Sequence, residues 1–355
     1  VPSTAYALQY LGTGIGGIFM GWYFDRWGIK IPAFVGGSMI GLGAILTSFV
    51  SNQWELFFIY GAMLGFFGRS ALFGPLTTNI THWFEHKKSL AVGVVSSGQG
   101  LAGMLWPPVF HHLIEAVGWR QTALIYGIFT LVAMLSLALI LRQKPPTLKP
   151  QLAASQTFAG VPRSSMAATQ AWLCAASVGC CVGMSLPLAH VVSHVSDLGF
   201  DPARGAEVLS LMLGCSVISS LFGVGFLGGR YGGLRALFIF STVQAILLAA
   251  LAFTGSLPGI YLAAALLGFG YGGILPCYPV IVRELLPSAE AGRRTGLILL
   301  CAGGGMALGS WLGGYIFDLT GSYQLAFLIG VGFNLGNLAI IFSLILHTRG
   351  LRVTS

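Results

Sequence analysis

Long runs without a charged side chain follow one another along the whole sequence, separated by short charged turns. Residues 4–24 and 31–50 contain no Asp, Glu, Lys or Arg, whereas the turn between them contains Asp25, Arg26 and Lys30. A helix needs about 20 apolar residues to cross a bilayer. Because backbone groups in lipid must pair internally, and the runs lack the alternation of barrel strands, each run predicts a transmembrane helix. The eleven predicted spans are 4–24, 31–50, 56–82, 89–112, 120–141, 169–193, 206–228, 234–254, 258–282, 295–318 and 323–346.

The composition agrees with a membrane protein and excludes a soluble one. Hydrophobic residues make up 55% of the chain and charged residues only 8%, whereas soluble domains carry about 25% charged residues. The 51 glycines are interleaved with Leu, Ile and Phe, and small residues let membrane helices approach closely. We therefore predict an all-α polytopic membrane protein in contact with a lipid bilayer.

The basic residues predict the orientation. With the 25–30 turn in the cytoplasm, 15 of the 18 Lys and Arg fall on the cytoplasmic side, Arg120 and Arg204 fall outside, and Arg69 lies within a span. Cytoplasmic loops of membrane proteins carry this excess of positive charge. We expect the C-terminus in the cytoplasm and the chain in a cell membrane. The compact loops suggest a bacterial inner membrane.

The spans divide into two halves with an internal repeat. We predict an N-terminal half at 1–142, a Pro-containing cytoplasmic linker at 143–168 and a C-terminal half at 169–355. At an offset of 203 or 204 residues, Arg26, Gly28, Pro75 and Gly118 coincide with Arg230, Gly232, Pro279 and Gly321. Internal repeats are common in secondary transporters. The second half has six spans and the first has five, so we expect a twelfth helix before residue 1.

The sequence argues against nucleic-acid, metal and cofactor partners. The net charge of +8 comes from basic residues in short loops between apolar runs, which argues for membrane topology and against nucleic-acid binding. All six cysteines lie inside apolar runs without metal-ligand spacing, so no metal site is expected. The G-x-G-x-x-G pattern from Gly12 to Gly17 lies within a membrane run rather than a βαβ unit, and we predict no cofactor.

Two motifs resemble those of a known family. The first consists of Gly21, Asp25, Arg26, Gly28 and Lys30, and it resembles the loop between the second and third helices of major facilitator superfamily transporters. The second is WFEHKKSLAVG at 83–93 followed by Ser97 and Gly98, and it is similar to the fifth-helix signature of the monocarboxylate-porter family. The run from Leu209 to Gly229 lacks the Asp and Arg that this family carries in its eighth helix.

The resemblance implies a mechanism and a substrate class. It implies two halves that rock around a mid-membrane site and a small, monocarboxylate-like organic anion moved together with a proton. The charges of the turn further predict that Gly21, Asp25, Arg26, Gly28, Lys30 and the echo at Arg230 form a latch between the halves. A carboxylate at a helix end can meet the positive N-terminus of another helix. The alternative is a solvated turn that only enforces topology.

Arg69 is the principal candidate for binding the substrate. It lies between Glu55 and His82, near mid-membrane, where burying a guanidinium costs roughly 3 kcal/mol on insertion scales. A buried Arg that faces a water-filled cavity can bind a carboxylate through two hydrogen bonds. The alternative is a structural ion pair or helix cap.

Other polar residues within the spans are weaker candidates. Gln99 lies near the middle of its span, and Asn79, Tyr271 and Tyr278 lie on the paired helices that the resemblance implies line the central cavity. Each of the four would contact substrate or pack against neighbouring helices. His190 and His194 lie four residues apart on one helical face near the outer end. They would carry a proton-linked charge or form ordinary interfacial contacts.

We therefore predict a secondary transporter rather than an enzyme. The ten acidic residues are scattered, whereas an enzyme would need them clustered near one interface. The runner-up within transporters is an exporter of amphipathic drugs or metabolites, and a non-transporting sensor or membrane enzyme is the remaining alternative.

Overall fold

The protein is a bundle of long helices. A computed structural model describes residues 2–83, 88–140, 163–286 and 291–353, which form eleven helices and contain no strand. The first five helices are α1 (Pro2–Trp27), α2 (Lys30–Thr47), α3 (Gln53–Phe58, Ile59–Arg69 and Ser70–Trp83), α4 (Lys88–Val117) and α5 (Trp119–Ile140). The other six are α6 (Arg163–Asp197), α7 (Pro202–Ile218, Ser219–Gly228 and Gly229–Tyr231), α8 (Gly233–Phe253), α9 (Leu257–Leu285), α10 (Ala291–Thr320) and α11 (Gln324–Val353).

Nine of these helices are long and apolar enough to cross a membrane, judged by length and composition over the described residues. The two others, α1 and α4, are long enough but less apolar over their described residues. They pack against the other half of the bundle, α1 on α10 and α4 on α7. The prediction of an all-helical polytopic membrane protein is confirmed.

The middle of α3 has an unusual backbone. Residues Ile59–Arg69 form a π-helix, in which each N–H bonds to the carbonyl five residues earlier. The N–H of Ser70 accordingly donates to the carbonyl oxygen of Gly65. A second π-helical segment, Ser219–Gly228, lies in α7.

The repeat predicted from the sequence appears in the turns. Gly28 has φ +78° and its counterpart Gly232 has φ +83°; Gly118 has φ +83° and its counterpart Gly321 has φ +68°. The four N–H groups donate to the carbonyls of residues four positions earlier, at 2.8–3.1 Å. A left-handed residue that ends a helix is most often glycine. Glycine therefore recurs at these positions because both copies of each turn need positive φ.

Glycines also bring corresponding helices together. A Cβ at Gly65 in α3 would overlap the carbonyl oxygen of Gln9 in α1, and a Cβ at Gly268 in α9 would overlap that of Met212 in α7. Gln9 and Met212 stand 203 residues apart, as do the two glycines. The α1–α3 and α7–α9 contacts are therefore built in the same way.

The boundary between the halves is partly described. Residues 143–162 of the predicted linker lie outside the described residues, and 163–168 are the first residues of α6. Helices α2 and α5 pack together in the first half, while α6 packs on both α10 and α11 in the second. The domain boundaries at 142 and 169 stay a prediction.

Close helix packing predicts a contrast between two neighbouring glycines of α1. In Gly16→Ala the new Cβ would overlap the carbonyl oxygen of Phe66, whereas a Cβ at Gly17 has open space around it. We expect Gly16→Ala to destabilise the protein by about 1–3 kcal/mol through overpacking. Gly17→Ala should leave stability unchanged or slightly raised, because Ala favours helix over Gly. Thermal unfolding of both variants in detergent measures the difference, and equal midpoints would contradict the packing described for α1.

Candidate functional site

Arg69 lies inside the bundle at the end of the π-helical segment of α3. Its guanidinium carbon lies 4.8 Å from the centroid of the Tyr10 ring, which comes from α1. This distance is within the range of a cation–π interaction. Arg69 is partly buried.

Three tyrosines surround the guanidinium. The hydroxyls of Tyr6 and Tyr10 lie 3.3 Å apart, and their rings meet edge to face with centroids 5.0 Å apart. Tyr271 of α9 lies within electrostatic range of both Arg69 and Tyr10. Tyr10 is buried and belongs to a core cluster made mostly of residues from the second half. The cluster formed by Tyr6, Tyr10, Arg69 and Tyr271 therefore joins the two halves.

The charge of Arg69 is not balanced by a carboxylate among the described residues. The carboxylates of Glu115, beside His111, and of Glu207, paired with Arg204, belong to side chains at least 46% exposed. The tyrosines offer ring faces and hydroxyl dipoles but no negative charge. A membrane-buried guanidinium is costly and normally finds a partner. This arrangement therefore favours an anion as the missing partner.

A small cavity lies next to this cluster, between the halves. Its walls come from α3, α4, α7 and α9 and consist of Phe73, Ser96, Gln99, Gly100, Ser216, Ser220, Tyr271, Gly272, Leu275 and Pro276. Two predicted site residues, Gln99 and Tyr271, thus meet across one cavity from opposite halves. Ser220 Oγ donates to the carbonyl oxygen of Gly272 at 2.9 Å, which leaves its lone pairs available as acceptors.

Two other predicted site residues lie elsewhere. Tyr278 is fully buried in the core of the second half, beside the thiols of Cys180, Cys181 and Cys277. Asn79 is buried on α3 and is not among the cavity-lining residues. Their assignment as substrate contacts stays a prediction.

The two histidines lie in the second half between α6, α10 and α11. His190 Nε2 donates to the carbonyl oxygen of Ser310 at 2.9 Å, and the ring stacks on Tyr323 with centroids 5.1 Å apart. His194 packs edge to face on Phe327, with centroids 5.1 Å apart, and its buried Nε2 has no hydrogen-bond partner. Neither ring makes a described contact with Arg69 or Tyr271.

The predicted latch residues lie at the α1–α2 turn and at its counterpart: Gly21, Asp25, Arg26, Gly28, Lys30 and Arg230. Lys30 begins α2 and is exposed. Arg230 is also exposed, with its guanidinium 5.9 Å from the ring centroid of Tyr231. The side chains of Asp25 and Arg26 lie outside the described part of the chain, so the latch stays a prediction.

The sequence interpretation missed several residues of the site, namely Tyr6, Tyr10, Ser96, Ser216 and Ser220. A signal for the first two was present. Tyr6 and Tyr10 stand four residues apart, which places them on one helical face, in a glycine-rich span that contains no charge. The serines gave no comparable signal, because serine is tolerated throughout these spans.

The known proteins that this chain resembles are membrane transporters of one superfamily. The sequence model of the Major Facilitator Superfamily matches residues 2–256 and, separately, 171–354. Monocarboxylate transporter 13 of Bos taurus is 27% identical over 354 residues, covering 97% of this chain and 79% of that protein. The MFS transporter asaE of Aspergillus flavus is 23% identical over 312 residues, covering 86% of this chain and 69% of that protein.

Among solved structures, the fucose:proton symporter FucP of E. coli is similar in fold. It superposes with a TM-score of 0.65 at 14% identity, covering 95% of this chain and 89% of FucP. These relatives and structural neighbours are transporters, not enzymes. The family match over most of the sequence, together with the eleven-helix bundle and its internal repeat, shows that this chain belongs to the Major Facilitator Superfamily of membrane transporters and resembles its monocarboxylate transporters.

Proposed function

We propose that this protein is a secondary active transporter that moves a small, monocarboxylate-like organic anion across a cell membrane. The observation that carries the proposal is Arg69, a guanidinium inside the bundle that has no carboxylate partner among the described residues. The tyrosine hydroxyls beside it can donate to the same anion. A carboxylate bound there would receive charge-assisted hydrogen bonds, which are about twice as strong as neutral ones.

The site residues come from both halves, and this supports transport by alternating access. Arg69 and Gln99 belong to the first half and Tyr271 to the second, so rocking of the halves would open and close the space between them. The contacts between the halves, α1 on α10 and α4 on α7, would act as the pivots. The predicted latch at the α1–α2 turn would hold one of the two states.

We propose symport with a proton, and His190 and His194 are the proton-linked candidates. His194 lies within electrostatic range of Asp197, and Tyr323 packs against both rings. A protonation change there would alter the packing of α6 on α11, which offers a route from proton binding to helix movement.

A double variant tests the histidines. In His190→Gln/His194→Gln we expect uptake driven by a pH gradient to fall at least about tenfold, as for the loss of a residue that transfers protons. Exchange of substrate across the membrane without a gradient should continue, because the contacts at Arg69 are unchanged. Both rates are measured with radiolabelled carboxylate in proteoliposomes. Full gradient-driven uptake by the variant would remove the histidines from the coupling mechanism.

We further propose the orientation predicted from the basic residues, with the linker and the C-terminus in the cytoplasm of the cell. Residue-specific labelling of Cys variants at Arg120 and Lys30 with an impermeant thiol reagent would check it, because these exposed positions would lie on opposite sides of the membrane. The bacterial origin stays a prediction.

The direct test of the function is ligand stabilisation followed by transport. The full chain in detergent is heated with a panel of small carboxylates or of lipophilic cations. Stabilisation by carboxylates supports the proposal, whereas stabilisation by the cations alone favours an exporter of amphipathic compounds. The absence of pH-gradient-driven uptake for every small carboxylate in proteoliposomes would refute symport of such anions.

A further inference from the structure

A second cavity lies within the C-terminal half, beside the anion site. It is small in this conformation. Helices α6, α7, α8 and α9 surround it, and its wall includes Met184, Pro187, Met212, Gln244, Leu267 and Tyr271.

Tyr271 connects this cavity to the anion site. The same side chain lines the cavity that contains Gln99 and lies within electrostatic range of Arg69. The two cavities therefore share the side chain of one tyrosine as part of their walls. A ligand whose carboxylate binds Arg69 could extend past Tyr271 into the second cavity.

Most of the wall is apolar and adaptable. Met184, Met212 and Leu267 present thioether and alkyl groups, and methionine side chains adjust readily because they are unbranched and flexible. Such a wall can widen around a slender alkyl chain. The wall contains no charged side chain that could pair with a second carboxylate. A dicarboxylate would therefore not place its second carboxylate in this cavity.

The polar end of the cavity offers acceptors. Gln244 is 1% exposed, and its Nε2 already donates to the carbonyl oxygen of Cys180 at 3.2 Å. Its Oε1 has only the Cys180 thiol, at 3.7 Å, which is a weak donor. Gly183 also lines the cavity, and its carbonyl lacks the usual helical donor because residue 187 is proline.

We propose that this cavity binds the tail of the transported anion, and that Gln244 Oε1 and the Gly183 carbonyl accept a hydrogen bond from the tip of that tail. The substrate class is then a monocarboxylate with a slender apolar chain that ends in a hydroxyl or N–H group. This inference rests on the proposed binding of a carboxylate at Arg69.

A chain-length series tests the inference on the full protein in nanodiscs. Unbranched acids from acetate to octanoate, and their ω-hydroxy counterparts, compete with bound radiolabelled butyrate. We expect the inhibition constant to fall about fourfold for each methylene that enters the cavity. At the length that reaches Gln244, the ω-hydroxy acid should bind about fivefold more tightly than the plain acid of equal length.

Two variants test whether the effects of the hydroxyl group and of chain length arise in this cavity. In Gln244→Met the preference for the ω-hydroxy acid should fall to a ratio near one. In Leu267→Phe the larger ring occupies part of the cavity, so the optimal chain should become shorter. If Gln244→Met fails to fold, the wild-type length series and Leu267→Phe still decide the question.

The outcomes separate this inference from the proposed function. Butyrate binding that Arg69→Gln abolishes, together with an inhibition constant that stays flat or rises with chain length, would overturn the tail site and leave the anion site standing. An unchanged hydroxyl preference in Gln244→Met would overturn the role of Gln244. The absence of binding by any carboxylate would overturn both proposals.

Discussion

We expect replacement of Arg69 by Gln to lower the affinity for a small carboxylate at least about 100-fold, the combined loss of two hydrogen bonds to a charged group worth roughly 1.5–3 kcal/mol each. The tyrosines cannot compensate, because their hydroxyls carry no positive charge. Competition binding with radiolabelled butyrate in nanodiscs measures the change, and uptake into proteoliposomes should fall in parallel. Insertion should be unaffected, because removing a charge from mid-membrane favours the membrane-embedded chain.

A matched control for this variant is Arg120→Gln. Arg120 also lies over an aromatic ring, with its guanidinium 4.8 Å from the centroid of Trp119, and it donates to the carbonyl oxygen of Val50 at 3.2 Å. Because it is exposed at the start of α5, its loss should leave butyrate binding unchanged. Arg69→Lys should give an intermediate loss, since ammonium keeps the charge but lacks the planar fork. Wild-type affinity in Arg69→Gln would show that the guanidinium is structural.

Gly100→Ala should slow transport about tenfold or more, a larger effect than any change in substrate affinity. Gly100 lies where α4 meets α7, and a Cβ there would come 2.8 Å from the carbonyl oxygen of Leu213 and 2.6 Å from Ser216 Oγ. The helices must separate to admit it, at a cost of about 1–3 kcal/mol that falls on the state in which they are in contact. Such a cost shifts the balance between transporter states and slows the full cycle.

Gly98→Ala is the control, because a Cβ there has nothing within 4 Å. Both variants add the same methyl group to the same helix, two residues apart. Exchange rates in proteoliposomes, compared with butyrate binding in nanodiscs, distinguish a block in the cycle from a loss of affinity. Equal exchange rates for the two variants would show that the α4–α7 contact does not move during transport.

Most of the architecture could be predicted from the sequence because the bilayer imposes it. Runs of about 20 apolar residues leave helices as the only elements that pair their backbone groups. The repeat was visible because turns at Gly28 and Gly232, and at Gly118 and Gly321, need positive φ, which restricts the residue choice. The same constraint does not apply to side chains on helix faces, so those contacts were harder to predict.

The candidate site was predictable only where a residue is costly to bury. Arg69 and Gln99 stood out because a charge or an amide in lipid needs a partner. Tyr271 and Tyr278 could not be separated in the same way. They stand seven residues apart, close to one helical face, yet Tyr271 lines both cavities and Tyr278 is enclosed in the core. Lipid and protein interior are equally apolar, so the sequence does not show which neighbours close over each tyrosine.

The π-helical segment of α3 restricts where residues can be deleted from or inserted into this protein. Each residue of an α-helix turns the chain by about 100°, and Ile59–Arg69 contains wider turns than an α-helix would. Deleting residues between Ile59 and Arg69 would narrow these turns toward the α-helical register. Arg69 would keep its depth in the membrane while the preceding face rotated away from α1. Natural relatives that bind the same anion should therefore vary in the loops on either side of α3 and conserve the number of residues within this segment.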